Sequence, residues 1–122
     1  MKGLKIATAL LFLIGVSALA ADASNVDVGK SWTLTLHHPT RVGTALLPAG
    51  EYNVRHLKDG EQHVLAFKLD RKEMARVGCK LEQLSKKAER TSLLADTNGA
   101  GELVLMSIAF EGDKFRHDLV AP

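Results

Sequence analysis

The feature that most constrains the fold is a period-two alternation of apolar and polar residues, broken at short intervals by turn residues. Residues 32–36 alternate in this way, which is typical of a strand with one buried face. Pro39 ends the run, because proline cannot donate a hydrogen bond to a strand ladder. A second short apolar segment, residues 42–47, ends at Pro48-Ala49-Gly50, a sequence that favours a tight turn.

The same pattern continues towards the C-terminus. Turn sequences at residues 58–61 and 70–72 enclose the alternating residues 63–69, and further turns are predicted at residues 96–101 and 111–114. Strands separated by turns at such close spacing predict an all-β domain. We expect an antiparallel β-sandwich or a small β-barrel of seven or eight short strands.

Residues 71–90 also fit a helix. Apolar residues recur there at spacings of three and four, namely Met74, Val77, Leu81, Leu84 and Ala88. Such spacing is typical of one helical face, although Gly78 would cost a helix about 1 kcal/mol relative to alanine. The pattern alone is compatible with a strand and with a helix, and the strand is favoured.

The N-terminus has the pattern of a secretory signal. Lys2 and Lys5 precede the apolar residues 6–16, and Ala18-Leu19-Ala20 supplies the small residues that a signal peptidase requires. The apolar run is much shorter than the roughly 20 residues of a membrane-spanning helix. We therefore predict a signal peptide helix within residues 1–20, cleavage after Ala20, and one bacterial β domain over residues 21–122 that is exported to the periplasm or beyond.

Cleavage would leave a neutral chain. Loss of Lys2 and Lys5 leaves 14 of the 16 basic residues against 14 acidic residues. Nucleic acids and anionic membranes are bound by concentrated positive charge, so we expect neither as a partner, and no stable membrane insertion. Local runs such as Lys86-Lys87 are expected to be solvated.

Cys79 is the only cysteine, so it can form no disulfide within the chain. It does not follow the predicted cleavage site, which excludes a lipid anchor there. The alternation around it predicts a buried, small apolar side chain, and a disulfide between two chains is the alternative.

Five histidines are candidates for metal binding, at positions 37, 38, 56, 63 and 117. Imidazole nitrogens bind copper and zinc. His37 and His38 are adjacent and would face opposite sides of a strand, whereas His56 and His63 flank a predicted turn and would meet across the hairpin. His56 and His63 are therefore the candidate metal ligands, and the alternative places the histidines at the surface or at strand edges.

Residues 96–101 are similar to the start of a calcium loop, since oxygen ligands alternate before a glycine. Ala100 and Ser107 stand where two further ligands are needed. A plain hairpin turn is favoured.

Enzyme motifs are missing from the sequence: it contains no G-x-S-x-G, H-E-x-x-H, P-loop or G-x-G-x-x-G. Cys79 with a histidine is a conceivable nucleophile pair, but a reactive thiol needs access and a lowered pKa. Acidic residues are expected mostly in solvated turns. We expect no catalytic residue and no cofactor.

Residues 41–52, RVGTALLPAGEY, resemble the "VG…LPAGEY" segment of small exported all-β proteins of unknown function that are common in Acidobacteria-type bacteria. Residues 71–75, 86–87 and 108–114 correspond to later hairpins and turns of those proteins. The L-P-A-G-x-Y turn is also similar to that of prealbumin-like, or carboxypeptidase-regulatory-like, sandwich modules, where the tyrosine packs inward. Both resemblances imply an all-β fold, and neither implies a reaction.

These features predict a non-catalytic exported module, envelope-associated or secreted, that acts by surface contact. Its partner would be a protein, an envelope component or a second copy of itself, since strand edges can pair with other strands. The alternative is a periplasmic copper- or zinc-binding protein that uses histidine ligands.

Overall fold

The structure, a computed structural model, describes residues 28–121. The predicted signal peptide, residues 1–20, lies outside them. Nine strands form in this range: β1 Ser31–Leu36, β2 Thr40–Val42, β3 Ala45–Leu47, β4 Gly50–Asp59, β5 Gln62–Leu69, β6 Lys72–Gln83, β7 Ser92–Thr97, β8 Leu103–Ala109 and β9 Phe115–Leu119. Within residues 28–121, no helix has the length and apolar character needed to cross a bilayer. The all-β expectation is confirmed.

The number of strands exceeds the predicted seven or eight. The difference arises at residues 42–47, where the predicted single strand is two short strands, β2 and β3, paired antiparallel. Gly43 lies between them with a φ of 62°, a left-handed conformation that glycine adopts without steric cost. The chain therefore reverses at Gly43-Thr44 as well as at the predicted Pro48-Ala49-Gly50 turn.

The strands form one hydrogen-bonded sheet in the order β1-β4-β5-β6-β9-β8-β2-β3, and β7 pairs with β8. All pairings are antiparallel except that of β2 with β8. The expectation of a wholly antiparallel sheet is wrong at this one place. A tight hairpin forces its strands to be antiparallel, but β2 and β8 are far apart in the chain, so no turn sets their direction.

The stretch for which a helix competed forms β6. Asp70 and Arg71 both have positive φ angles, 50° and 71°, as in the two-residue turns that connect hairpin strands. The next strand pairs with β5 on one side and β9 on the other. Gly78, which would weaken a helix, lies within β6 opposite Val64, and the end of the exposed Gln62 side chain lies over it, with Nε2 2.8 Å from where a Cβ would be.

One apolar core collects side chains from strands at both ends of the sheet order. Leu34 of β1 and Leu47 of β3 belong to the same buried cluster as Leu65 and Phe67 of the central strand β5. Tyr52 is 1% exposed, and its hydroxyl donates a 2.6 Å hydrogen bond to the Pro48 carbonyl. The inward packing of this tyrosine, which the sequence resemblance implied, is confirmed.

Candidate functional sites

A row of polar side chains crosses one end of the buried sheet face. Neighbouring strands in the order β4, β5, β6 and β9 contribute His56, His63, Cys79 and His117 respectively. The register places His63 directly opposite Cys79 and His117 opposite Leu81, two residues from Cys79. Residues at such positions share one face of a sheet, so the four side chains lie side by side.

His56 and His63 contact each other across the β4–β5 hairpin, as the sequence predicted. Their rings are joined by a 2.9 Å hydrogen bond between His56 Nε2 and His63 Nδ1. One of these nitrogens must donate and the other accept, so protonation of both rings would break the bond. Burial lowers the pKa of His63, and the charges of Lys58 and His117 lower it further.

His117 connects the thiol of Cys79 to the carboxyl group of Asp113. Its Nε2 lies 2.9 Å from Asp113 Oδ2, and its Nδ1 lies 3.8 Å from Cys79 Sγ. Because a carboxylate only accepts hydrogen bonds, Nε2 carries a proton and donates to Asp113 Oδ2, while Nδ1 faces the thiol. Cys79 is 2% exposed, so its predicted burial is confirmed, and burial raises the pKa of its thiol to about 12, with a smaller contribution from Asp118.

Asp113 is a buried exception to the expectation that turn carboxylates are solvated. It is 4% exposed and follows β8 in the turn before β9. Its backbone amide donates to the Phe110 carbonyl, and its Oδ1 accepts from the Phe115 amide. Burial alone would raise the pKa of Asp113, but the hydrogen bond and charge of His117 and the backbone amides lower it overall.

Aromatic rings surround His117, the β9 member of this row of polar side chains. Trp32 stacks on Phe110 with ring centroids 4.2 Å apart, and both rings approach His117 edge-on at 5.8 and 5.4 Å. His56 lies edge-on to His117 at 5.1 Å. The Trp32 Nε1 atom is buried and has no hydrogen-bond partner among residues 28–121. The polar side chains are thus held in a low-polarity environment, where hydrogen bonds are strong and unpaired polar groups are costly.

The sequence candidates for metal binding separate into two groups. His37 and His38 are exposed beyond the end of β1, whereas His56 and His117 are each 1% exposed, so the surface or edge expectation is wrong for these two. Among the described residues, no three or more His, Cys, Asp or Glu side chains form a group that could hold a metal ion. The candidate pair His56 and His63 is therefore present as a pair of imidazoles hydrogen-bonded to each other.

Residues 96–101 belong to a hairpin, as expected, but Asp96 and Thr97 are still part of β7, and the connection to β8 is residues 98–102. Asn98 Oδ1 accepts hydrogen bonds from the amides of Ala100 and Glu102. The side-chain oxygen that a calcium loop would present to the ion is thereby used to form the turn. Lys86 and Lys87 are exposed, as expected.

A second unusual surface is the exposed β7–β8 hairpin. All six residues of β7 are exposed, and Leu93, Leu94 and Met106 are 40%, 62% and 45% exposed. β7 pairs with β8 alone among the described strands, so its other edge presents unpaired backbone groups. The sequence indicated a hairpin here, but the alternation gave no sign that both faces of β7 would be exposed.

No protein-family model matches the chain, and no curated protein or solved structure is found to be similar to it. The fold and the two sites define an all-β protein that has a buried histidine cluster and an exposed, apolar edge strand.

Proposed function

We propose that the chain is an exported, non-catalytic β module that acts by surface contact, as an envelope-associated or secreted binding or structural protein. The observation that carries the proposal is the β7 edge. Unprotected edge strands are ready to pair with another strand, and this one also exposes Leu93 and Leu94. Isolated exposed leucines are ordinary, but several on one strand edge favour an interaction surface.

Export is supported by the residues that precede the described domain. Two lysines, an apolar run and Ala18-Leu19-Ala20 together form the signal pattern in residues 1–20. The resemblance of residues 41–52 to small exported bacterial β proteins supports the same proposal. A periplasmic or extracellular location follows from it.

A non-catalytic role is supported by the state of Cys79. Cys79, His117 and Asp113 contact one another in the order of a nucleophile, a base and an orienting carboxylate. Nucleophilic cysteines, however, have accessible thiols with a lowered pKa. Here the thiol is 2% exposed and its pKa is raised to about 12, which favours a packing role.

We also propose that the sheet closes on itself as a sandwich or small barrel. Strands at opposite ends of the sheet order share one core, which a flat sheet would not permit. The β2–β3 turn supports closure as well, because a Cβ on Gly43 would lie 3.5 Å from Val77 of β6.

The contact proposal can be tested by retention on envelope material. The exported protein would be incubated with isolated envelope fractions beside two variants, Leu94→Lys on β7 and Leu46→Lys on β3. Both leucines are largely exposed, at 62% and 46%, so neither substitution should unfold the domain. We expect Leu94→Lys to abolish retention and Leu46→Lys to preserve it. Equal retention of all three proteins, or a wild type that is neither retained nor self-associated, would contradict the proposal.

The contact between His56 and His63 favours a second candidate function, copper or zinc binding. His63 is partly exposed beside Cys79, and its ring would have to exchange its hydrogen bond for a metal bond. Calorimetric titration with Cu²⁺ and Zn²⁺ tests this. Binding that is lost in His63→Ala and kept in His38→Ala would support the second candidate, and a flat trace for the wild type would eliminate it.

A further inference from the structure

We propose that the partner of the β7 edge is a second copy of the chain, joined by antiparallel β7–β7 pairing about a two-fold axis at Leu94. The inference rests on the proposed surface-contact function and names its partner. This pairing would make one continuous sheet across two copies, with Leu94 packed against Leu94 of the other copy.

β7 is the most exposed of the three terminal strands. β3 has only three residues and is followed by Pro48, and short strands and proline hinder edge pairing. β1 has six residues and, like β7, contains no lysine, arginine or proline, but its Leu34 and Leu36 are buried in the core. All six residues of β7 are exposed, and they include two leucines that a partner strand would cover.

The geometry of β7 also favours pairing. The irregularity in the β7–β8 pair places Leu94 opposite Ser107 and Ala95 opposite Leu105, so Met106 of β8 is the extra residue. The bulge therefore lies in β8, and the outer edge of β7 stays regular. A bulge on the edge strand itself would have turned its backbone groups away from a partner.

A second copy is chemically compatible with this edge. In antiparallel pairing about a perpendicular two-fold axis, a residue on the axis faces itself, and the residues on either side face each other. Centring on Leu94 sets Leu93 against Ala95 of the other copy, and Ser92 against Asp96, whose carboxylate can accept from the serine hydroxyl.

Charge does not oppose the pairing. Asp96 is the only charged residue of β7, and in this register the two Asp96 side chains are offset by four residues, about 13 Å along the strands. This exceeds the Debye length of about 8–10 Å near physiological salt. The whole chain has a formal charge of only +2, so long-range repulsion between copies is weak.

Light scattering coupled to size-exclusion chromatography tests the proposal on the exported protein over a wide concentration range. We expect the wild type and Leu46→Lys to have the mass of a dimer. Leu94→Lys would place two like charges on the axis, and we expect its dimer dissociation constant to rise at least tenfold. Circular dichroism should show that all three proteins are folded.

A cysteine on the axis tests the register directly. Opposed residues in antiparallel strands have Cβ atoms about 4.5–5.5 Å apart, close to the spacing that a disulfide spans. Leu94→Cys should form a linked dimer under mild oxidation, and Leu46→Cys should not. Cys79 does not interfere, because it is buried.

The outcomes separate the two proposals. A wild type that is monomeric at every concentration, or a dimer unaffected by Leu94→Lys, would overturn the second-copy inference. If Leu94→Lys still abolished envelope retention in that case, the surface-contact function would stand with a different partner. If Leu94→Lys changed neither the envelope retention nor the mass in solution, both proposals would be wrong.

Discussion

Replacement of Asp113 by alanine should lower the free energy of unfolding by about 1.5–4 kcal/mol. The variant removes the acceptor for His117 Nε2, 2.9 Å away, and the acceptor for the Phe115 amide, 3.3 Å away. His117 is 1% exposed, so water cannot replace the lost partner, and a buried donor without a partner costs about 1–3 kcal/mol. The longer bond to the Phe115 amide adds about 0.5–1 kcal/mol.

Asp118→Ala is the matched control. Asp118 also accepts hydrogen bonds from a basic side chain, since Arg116 Nε lies 2.6 Å from its Oδ1, but Asp118 and Arg116 are 37% and 43% exposed. Exposed ion pairs contribute about 0–1 kcal/mol. Asp113→Asn should be intermediate, because its amide oxygen can still accept from the imidazole.

Urea denaturation followed by fluorescence measures these differences. Trp32 is the only tryptophan and stacks on Phe110 beside His117, so its emission reports on this region. With a slope of about 1–2 kcal/mol per molar urea for a small domain, the expected loss moves the midpoint by about 1–4 M. If Asp113→Ala and Asp118→Ala differ by less than about 0.5 kcal/mol, the buried hydrogen bonds contribute no more than a surface ion pair, and the reasoning fails.

Three further outcomes are expected. Acid should destabilise the domain in two pH windows, because folding lowers the pKa of both His63 and Asp113. The stability contributed by neutral His63 is complete above its unfolded pKa of about 6.5 and is lost as the pH falls through its lower folded pKa, and the stability contributed by ionised Asp113 is lost in the same way below about pH 4. Urea midpoints that stay constant from pH 8 to 3 would contradict this. Cys79 should resist iodoacetamide at pH 8 in the native protein and react in urea, because burial holds its pKa at about 12; rapid native labelling, seen by mass spectrometry, would show the thiol to be accessible. Gly43→Ala should lower the free energy of unfolding by about 1–2 kcal/mol, because Gly43 has a φ of 62°. Gly99→Ala, whose Cβ would meet open space, should leave it nearly unchanged. Equal thermal midpoints for the two variants would show that a side chain at Gly43 causes no backbone strain.

Much of the strand pattern could be predicted because it depends on local alternation. The exposed and buried residues of β1 follow its period-two sequence, and the turn at residues 58–61 joins β4 to β5 as expected. The contact of His56 with His63 was also predictable, since two residues that flank a hairpin turn lie on adjacent strands. The register that pairs Lys58 with His63 places the two histidines diagonally on one face. The division of residues 42–47 was missed because Gly43 gave the only local sign of a second reversal.

The histidine cluster was only partly predictable. Phe115, His117 and Leu119 share one face by alternation, which was a usable sign that His117 points inward. Nothing local connects Cys79 to His117, because they are 38 residues apart in the chain. Their contact depends on the pairing of β6 with β9, which no turn between them determines.

The sequence alone determined that residues 28–121 would be strand-rich, since alternation and turn chemistry act between near neighbours. Only the tertiary structure decided which strands are adjacent, that β2 runs parallel to β8, and that a turn carboxylate, Asp113, is buried against a histidine. The physical reason is that strand pairing and burial are cooperative properties of the whole sheet. Each depends on residues that are distant in the chain, so the same local pattern is compatible with several arrangements until the core forms.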